Sequence, residues 1–361
     1  MKVLCTADWH IGNLAHGRVD SDGRNSRYLE ARYLLKQIVD IAEQEEVDLL
    51  LMAGDIFHSN RPTTDEQLIF LDFLYALEEK HIPSRFIIGN HDYNSQLGKS
   101  DSLAIFRKIK NLKFTKIYKD PDNEVFGQVC FIYLPYGSSY VVSDLPDHSK
   151  AVLVIHDHFQ GAKLGSELFE LKKPGQELLP KQFPVDFIVA GHFHRHQIIS
   201  NDPLCFYTGS IHKVDFNERD DDKVVVILDT ETGNIKPVSL DCLELVQVDL
   251  VYPKISFDDD ELELLKDKIV KVRVFVSEKD AHNYDENLIK KQLKEAGVHK
   301  IAQIQFDIDR KISRRNEEIT FDIDLLTNFK RFMASKDYGS IHSRVMVEGE
   351  RIIDQVKKGI A

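Results

Sequence analysis

The chain has 361 residues, 42% apolar and 29% charged, with a formal net charge of −12. That composition excludes a disordered or fibrous protein and suits one large domain plus a smaller one. The acidic balance counts against a broad nucleic-acid surface, although carboxylates gathered at a metal site would carry part of it without repelling phosphate.

In chain order, the opening Met1–Asp8 holds too short an apolar stretch for a signal peptide. Apolar runs follow at 3–6, 47–52, 85–88, 129–134, 152–155, 187–189 and 224–228, all much shorter than a membrane span. Their β-branched content predicts strands buried on both faces. Amphipathic stretches at 28–46 and 64–80 predict helices between the first three runs, the second capped by Thr64 or Asp65. This alternation reads as α/β layering. Near residue 241 the pattern changes to strand, helix, strand, helix, strand, at 244–250, 258–267, 271–276, 286–296 and 301–307. A basic connector follows at 310–316, including Arg314 and Arg315. Helical spacing returns in Leu325, Phe329, Phe332 and Met333, then Ile352, Ile353 and Val356. The expected division is therefore 1–240, 241–312 and 313–361. Cys5, Cys130, Cys205 and Cys242 are scattered singly, which fits a reducing, cytoplasmic setting.

Five of the apolar runs end on polar residues of one chemical kind. They lead into Asp8 and His10, Gly54-Asp55, Gly89-Asn90-His91-Asp92, His156, and Gly191-His192-Phe193-His194. Ligands of open α/β sheets bind beyond the carboxyl ends of strands. If these runs are neighbours, the carboxylates of Asp8 and Asp55, the Asn90 amide and five imidazoles converge on one crevice. Such groups are rarely buried without partners, and cations supply that partner. Oxygen and imidazole donors without thiolate suit manganese, iron or zinc. Each piece alone is weak: Gly-Asp is commonly a turn, Asn-His-Asp an Asx turn, and a lone His156 a structural histidine. Their order, each after an apolar run, is the specific signal. His158, two residues beyond His156, is the alternative at that position.

The string Asp-x-His, Gly-Asp-x-x-His, Gly-Asn-His-Asp, His, Gly-His-x-His resembles the signature of calcineurin-like metallophosphoesterases. Within that superfamily the chain is similar to the SbcD branch, the nuclease subunits of a double-strand-break repair complex. His58 stands where phosphoprotein phosphatases carry Asp, and the segment 207–216 is similar to the one following the last ligands in the SbcD branch. The resemblance implies an α/β fold: a layered β-sandwich flanked by helices, a small α+β capping domain at 241–312 and a C-terminal helical segment. It implies two divalent ions, manganese foremost. Asp8, His10, Asp55 and His194 would hold one, and Asp55, Asn90, His156 and His192 the other. His91 would stabilise or protonate the leaving oxygen, and His58 would support His91 or the phosphate. His16 and His196 are expected to be bystanders.

The implied activity is a DNA nuclease, an exonuclease on double-stranded ends and an endonuclease on single strands, with a small-molecule phosphodiesterase or phosphatase as the alternative. Implied partners are DNA bound without sequence preference, a second copy of the chain, and an SbcC-like coiled-coil ATPase; no membrane is expected. The 67–77 helix, apolar nearly all round, is either buried in its own domain or a homodimer surface. Arg107, Lys108, Lys110, Lys113, Lys116 and Lys119 are either a solvated helix face or a phosphate contact. Phe329, Phe332, Met333, Ile352 and Ile353 would anchor the ATPase, or else pack on the chain itself. The chain carries no P-loop motif, so any ATP control must come from another polypeptide.

Overall fold

The apolar runs form strands, several buried along their whole length. The computed structural model describes residues 1–96, 99–139, 149–164, 169–170, 177–277, 286–309, 325–334 and 342–357. In chain order they form β1 (Lys2–Thr6), α1 (Ser26–Gln44), β2 (Leu49–Ala53), α2 (Thr64–Glu79), β3 (Ser84–Ile87), β4 (Thr115–Tyr118), β5 (Asp122–Phe126), β6 (Val129–Leu134) and β7 (Lys150–His156). The short β8 (Lys163–Leu164) and β9 (Phe169–Glu170) pair with each other. After them come β10 (Phe187–Gly191), β11 (Gln197–Asn201), β12 (Leu204–Tyr207), β13 (Val224–Asp229) and β14 (Ile235–Ser239).

Two six-stranded sheets result, in the orders β14-β13-β1-β2-β3-β4 and β11-β12-β10-β7-β6-β5. Strands β1 to β4 are mutually parallel, as are β6, β7, β10 and β12. Parallel neighbours require crossovers, and α1 and α2 supply the first two. The tips of β1, β2 and β3 therefore leave one end of their sheet together, as do those of β7 and β10.

Alternation along each strand sorts the core into layers. On β2, Leu50 and Met52 pack with Leu34, Ile38 and Phe70 of the helices. Leu49, Leu51 and Ala53 face the second sheet, against Phe131, Val152, Val154 and Val189. The far side of the second sheet buries Leu153, Ile155 and Ile188 under Phe159, Leu178 and Phe183. Truncating one such residue, Leu50→Ala for instance, would cost about 2–5 kcal/mol. The architecture is the expected layered β-sandwich with helices on its flank.

The N-cap of α2 lies one residue before the predicted caps. Thr63 is extended (φ −67, ψ 166) and accepts from Glu66 N, while the Glu66 carboxylate returns to Thr63 N at 2.9 Å. This reciprocal box is worth about 1 kcal/mol, and it leaves Thr64 and Asp65 inside the first turn. The helix carries apolar residues on both faces, as its sequence reads: Ile69, Phe70, Phe73, Leu74 and Leu77 are buried, while Leu68 and Tyr75 are exposed. The basic stretch after the third motif is not a helix face. It runs through a 3-10 turn, Phe106–Lys108, and a loop into β4. Arg107 pairs with Asp101 at 2.6 Å and Lys116 with Glu124 at 2.6 Å, so tertiary carboxylates neutralise two of its six charges.

The five later elements form in the predicted order: β15 (Leu245–Val251), α3 (Asp259–Leu265), β16 (Ile269–Ser277), α4 (Glu286–Glu295) and β17 (Lys300–Asp309). Their sheet runs β15-β16-β17. Helices α5 (Leu325–Ala334) and α6 (His342–Lys357) pack on each other, with the Phe329 ring over Gly349. Contacts divide the chain into a unit of Met1–Leu250, Ser256–Arg273 and Asp285–Gln305, and a unit of Val251–Ile255, Val274–Tyr284 and Phe306–Ala361. The basic connector 310–316 lies outside the described residues. Among the described residues, no helix is long and apolar enough to cross a membrane.

Candidate metal centre

Several strand tips deliver their polar residues through sharp local turns, while His156 ends β7 itself. Asp8, His10, Asp55 and His192 all adopt positive φ (53, 45, 57 and 110) without being glycine. Such conformations cost about 1–3 kcal/mol each and persist where surrounding structure fixes them. Here backbone bonds do so. Asp8 N donates to Gly54 O, His10 N to Asp55 O and Ile11 N to Ile56 O, which zips the β1 and β2 tips together. Two glycines make room. A Cβ on Gly89 would lie 2.1 Å from Asp55 Oδ1, and one on Gly191 would lie 2.1 Å from Ala53 O and 2.8 Å from His156 Nδ1. Between Asp8 and His10, the Trp9 side chain turns the other way. It is wholly buried against Phe70, Phe73 and Phe86, and its indole N–H donates to Thr6 Oγ1 at 2.8 Å.

The tips converge as the spacing predicts. Asp55 Oδ2 lies 3.4 Å from His156 Nε2, 3.8 Å from His10 Nε2 and 4.0 Å from His91 Nε2. His10 Nε2 and His194 Nε2 face each other at 3.0 Å. The Asn90 amide oxygen meets His156 Nε2 at 2.9 Å and His192 Nδ1 at 3.1 Å. Both oxygens of Asp8 accept from His192 N. Two groups of metal-ligand type emerge on this floor, Asp8 with His10 and His194, and Asp8 with Asp55 and His156. A third joins His10 to His58 and His91 at the rim. His158 stays aside, its ring against Phe193. His196 turns its Nδ1 to Tyr207 O, and His16 lies on Phe216, so neither enters the cluster.

Burial and mutual charge move these groups far from their ordinary titration. Burial pushes the Asp8 carboxyl up to about 6, partly offset by His156 and His194. Burial would also raise Asp55, but His156, His10 and His91 hold it well below the carboxylate range. Burial opposes charge on His156, yet Asp55 and Asp8 lift it to about 10. Burial, reinforced by His156, takes His192 down to about 3, and burial with His194 takes His10 well below its usual value. Oxygen and imidazole donors of both charge types, converging within a few ångström, match the ligand chemistry of a divalent cation. The residues present fit such an ion.

Three supporting residues escaped the sequence reading. Asp92, fully buried, accepts from Ile56 N, Phe57 N, Gly89 N and the Ser102 hydroxyl, and so staples the β2 tip to the β3 tip. Its place in Gly89-Asn90-His91-Asp92 was the available signal. Glu218 accepts from His194 Nδ1 at 2.7 Å and from buried Lys223 at 2.7 Å. Neither follows an apolar run, so the pattern that found the ligands could not find them.

A sequence model of the calcineurin-like phosphoesterases matches residues 1–196. The chain belongs to that family. The calcineurin-like phosphoesterases are metal-dependent phosphoesterases, which accounts for the donor set at the strand tips. Within the family, this chain is similar to the SbcD component of the nuclease SbcCD of Staphylococcus epidermidis, 26% identical over 266 residues, covering 65% of this chain and 67% of that one. Among solved structures it is similar to a Thermus thermophilus protein (TM-score 0.40, 10% identity, 66% of this chain and 98% of that one). It is also similar to a putative 5′-nucleotidase from Staphylococcus aureus (TM-score 0.37, 15% identity, 73% and 57%).

Proposed function

We propose that this calcineurin-like phosphoesterase is a two-metal DNA nuclease, the nuclease subunit of an SbcCD-like repair and recombination complex. It would act as an exonuclease on double-stranded ends and an endonuclease on single strands. The observation that carries the two-metal reading is the position of Asp55 Oδ2, within 4.0 Å of the Nε2 atoms of His156, His10 and His91. A carboxylate so placed can serve both ligand groups. Asp8, His10, Asp55 and His194 would hold one ion, and Asp55, Asn90, His156 and His192 the other. Bound divalent ions, manganese in this reading, lower the pKa of water toward neutrality and neutralise charge on a phosphodiester.

The chain's own residues do the rest. His91 Nδ1 donates to the His58 carbonyl at 2.8 Å, which fixes the ring and presents Nε2 to the crevice. In its cationic form His91 would give that Nε2 proton to the leaving oxygen. His58 stacks on the same ring at 5.4 Å and completes the rim.

DNA is favoured over a small substrate by the similarity to a nuclease subunit and by the extra elements after residue 241, taken here as a capping domain to 312 and a partner-binding segment to 361. Homodimerisation is supported by the outer faces of α1 and α2, which expose Leu29, Tyr33, Leu68 and Tyr75. Docking on a coiled-coil ATPase would use exposed Ile352 with Val347; Met333, an expected anchor, is buried. The test is end-labelled linear duplex DNA incubated with the protein in manganese, then with a chelator. Manganese-dependent degradation supports the reading. Intact DNA beside cleaved bis-p-nitrophenyl phosphate would favour the small-molecule phosphodiesterase, unless adding the ATPase restores DNA cleavage.

A further inference from the structure

Two of the proposed ligands, His156 and His194, have their outer nitrogen anchored, and the anchors differ in kind. His156 Nδ1 donates to the Ala53 carbonyl at 2.7 Å. His194 Nδ1 donates to Glu218 Oε1, also at 2.7 Å. Both partners only accept, so each ring keeps a proton on Nδ1, and Nε2 is the nitrogen left to face the centre and to give up its proton when an ion binds. A peptide carbonyl offers a dipole, whereas a carboxylate offers a full charge. The carboxylate makes its imidazole the stronger donor to a cation and fixes the ring more firmly.

Glu218 is itself held. Its Oε2 accepts from Lys223 Nζ at 2.7 Å, Val214 N at 3.0 Å and the Ser210 hydroxyl at 3.4 Å. Lys223 is wholly buried and also donates to His194 O at 3.2 Å and Ser210 Oγ at 2.9 Å. Every one of the contacts that hold Glu218 falls on Oε2, leaving Oε1 to His194. A carboxylate needed only as counter-ion for Lys223 would have no reason to reserve one oxygen for a ligand ring.

We propose that Glu218 is a positioning residue that makes the two metal positions unequal, tightening the grip of Asp8, His10 and His194 relative to the position served by His156. The inference rests on the two-metal reading above. Its test is calorimetric titration of manganese into the metal-free full chain, with thermal melts of the same samples. The wild type binds two ions of different affinity. Glu218→Gln keeps an accepting oxygen but loses the charge; it weakens the tighter event about 10- to 100-fold and leaves the other within about 2-fold. His194→Gln, which leaves the Glu218–Lys223 pair in place, eliminates the tighter event. Equal weakening of both events, or unchanged affinities beside a lowered melting temperature, would make Glu218 a structural counter-ion and overturn the proposal. So would loss of the weaker event in His194→Gln. A wild type that binds no manganese overturns the two-metal reading and this inference together. Unequal binding without DNA cleavage, even with the ATPase added, would sink the nuclease assignment alone.

Discussion

Asp55 and His91 approach to 4.0 Å, yet they are built on opposite plans. Asp55 is buried at the floor, with a left-handed backbone (φ 57), one oxygen on His91 N and its own carbonyl on His10 N. His91 stands at the rim with its side chain 38% exposed, and its ring is anchored at Nδ1 on the His58 carbonyl. In the proposed reading Asp55 holds cations; such a group must be placed before they arrive, and the fold over-determines it. His91, proposed to meet substrate, must be reachable; its ring is held at Nδ1 and its Nε2 is left open.

The sharpest way to break this contrast is Asp55→Asn. Removing the charge proposed to serve both ligand groups should abolish calorimetric binding of both ions. Phosphodiester cleavage should fall by more than the ~10²–10⁴-fold a proton-transfer group contributes. Retained cleavage would mean the floor is not a metal site. Next comes His91→Ala, expected to lower kcat by about 10²–10⁴-fold while two ions still bind. If metal binding collapsed with activity, floor and rim would be one structure rather than two. His58→Ala should cost about 10-fold or less, because the hydrogen bond that holds His91 runs to the His58 backbone carbonyl, which alanine keeps, and only the ring stacking is lost. A loss as large as that of His91→Ala would give the His58 ring a direct role on the phosphate.

The smallest effect is expected far from the centre. Burial opposes the charge on Glu124, but Arg85, Lys116 and Tyr133 hold its pKa below the ordinary value. A depressed folded-state pKa means stability that is present above the unfolded value, about 4.3, and lost as pH falls through the folded one. Glu124→Gln should therefore cost about 1.5–3 kcal/mol near pH 7, a melting-point loss that shrinks below about pH 4. Manganese affinity should stay as in the wild type; a fall would tie the sheet edge to the floor.

How much of this was legible in the sequence follows from where each signal lives. The strands were readable because β-branched runs such as 224–228 have few other uses. The proposed ligands were readable because parallel crossovers bring their strand ends to one place, so Asp8, Asp55, Asn90, His156 and His192 each mark the end of a run. Glu218 and Lys223 were not, because their meaning comes from a contact with His194 across 24 and 29 residues of chain. The helix face expected of the basic stretch does not form, and Arg107 and Lys116 pair instead with Asp101 and Glu124, six and eight residues away. Thr63 was missed by a single residue, the usual uncertainty of helix ends.

Trp9 makes the two kinds of information inseparable. With Asp8 on one side and His10 on the other, its indole is wedged among Phe70 and Phe73 of α2 and Phe86 of β3. Any slackening of that aromatic wedge is transmitted through two peptide bonds to two proposed ligands. A population of variants sorted for robust folding through this wall would thereby be sorted, unasked, for how well it loads its ions.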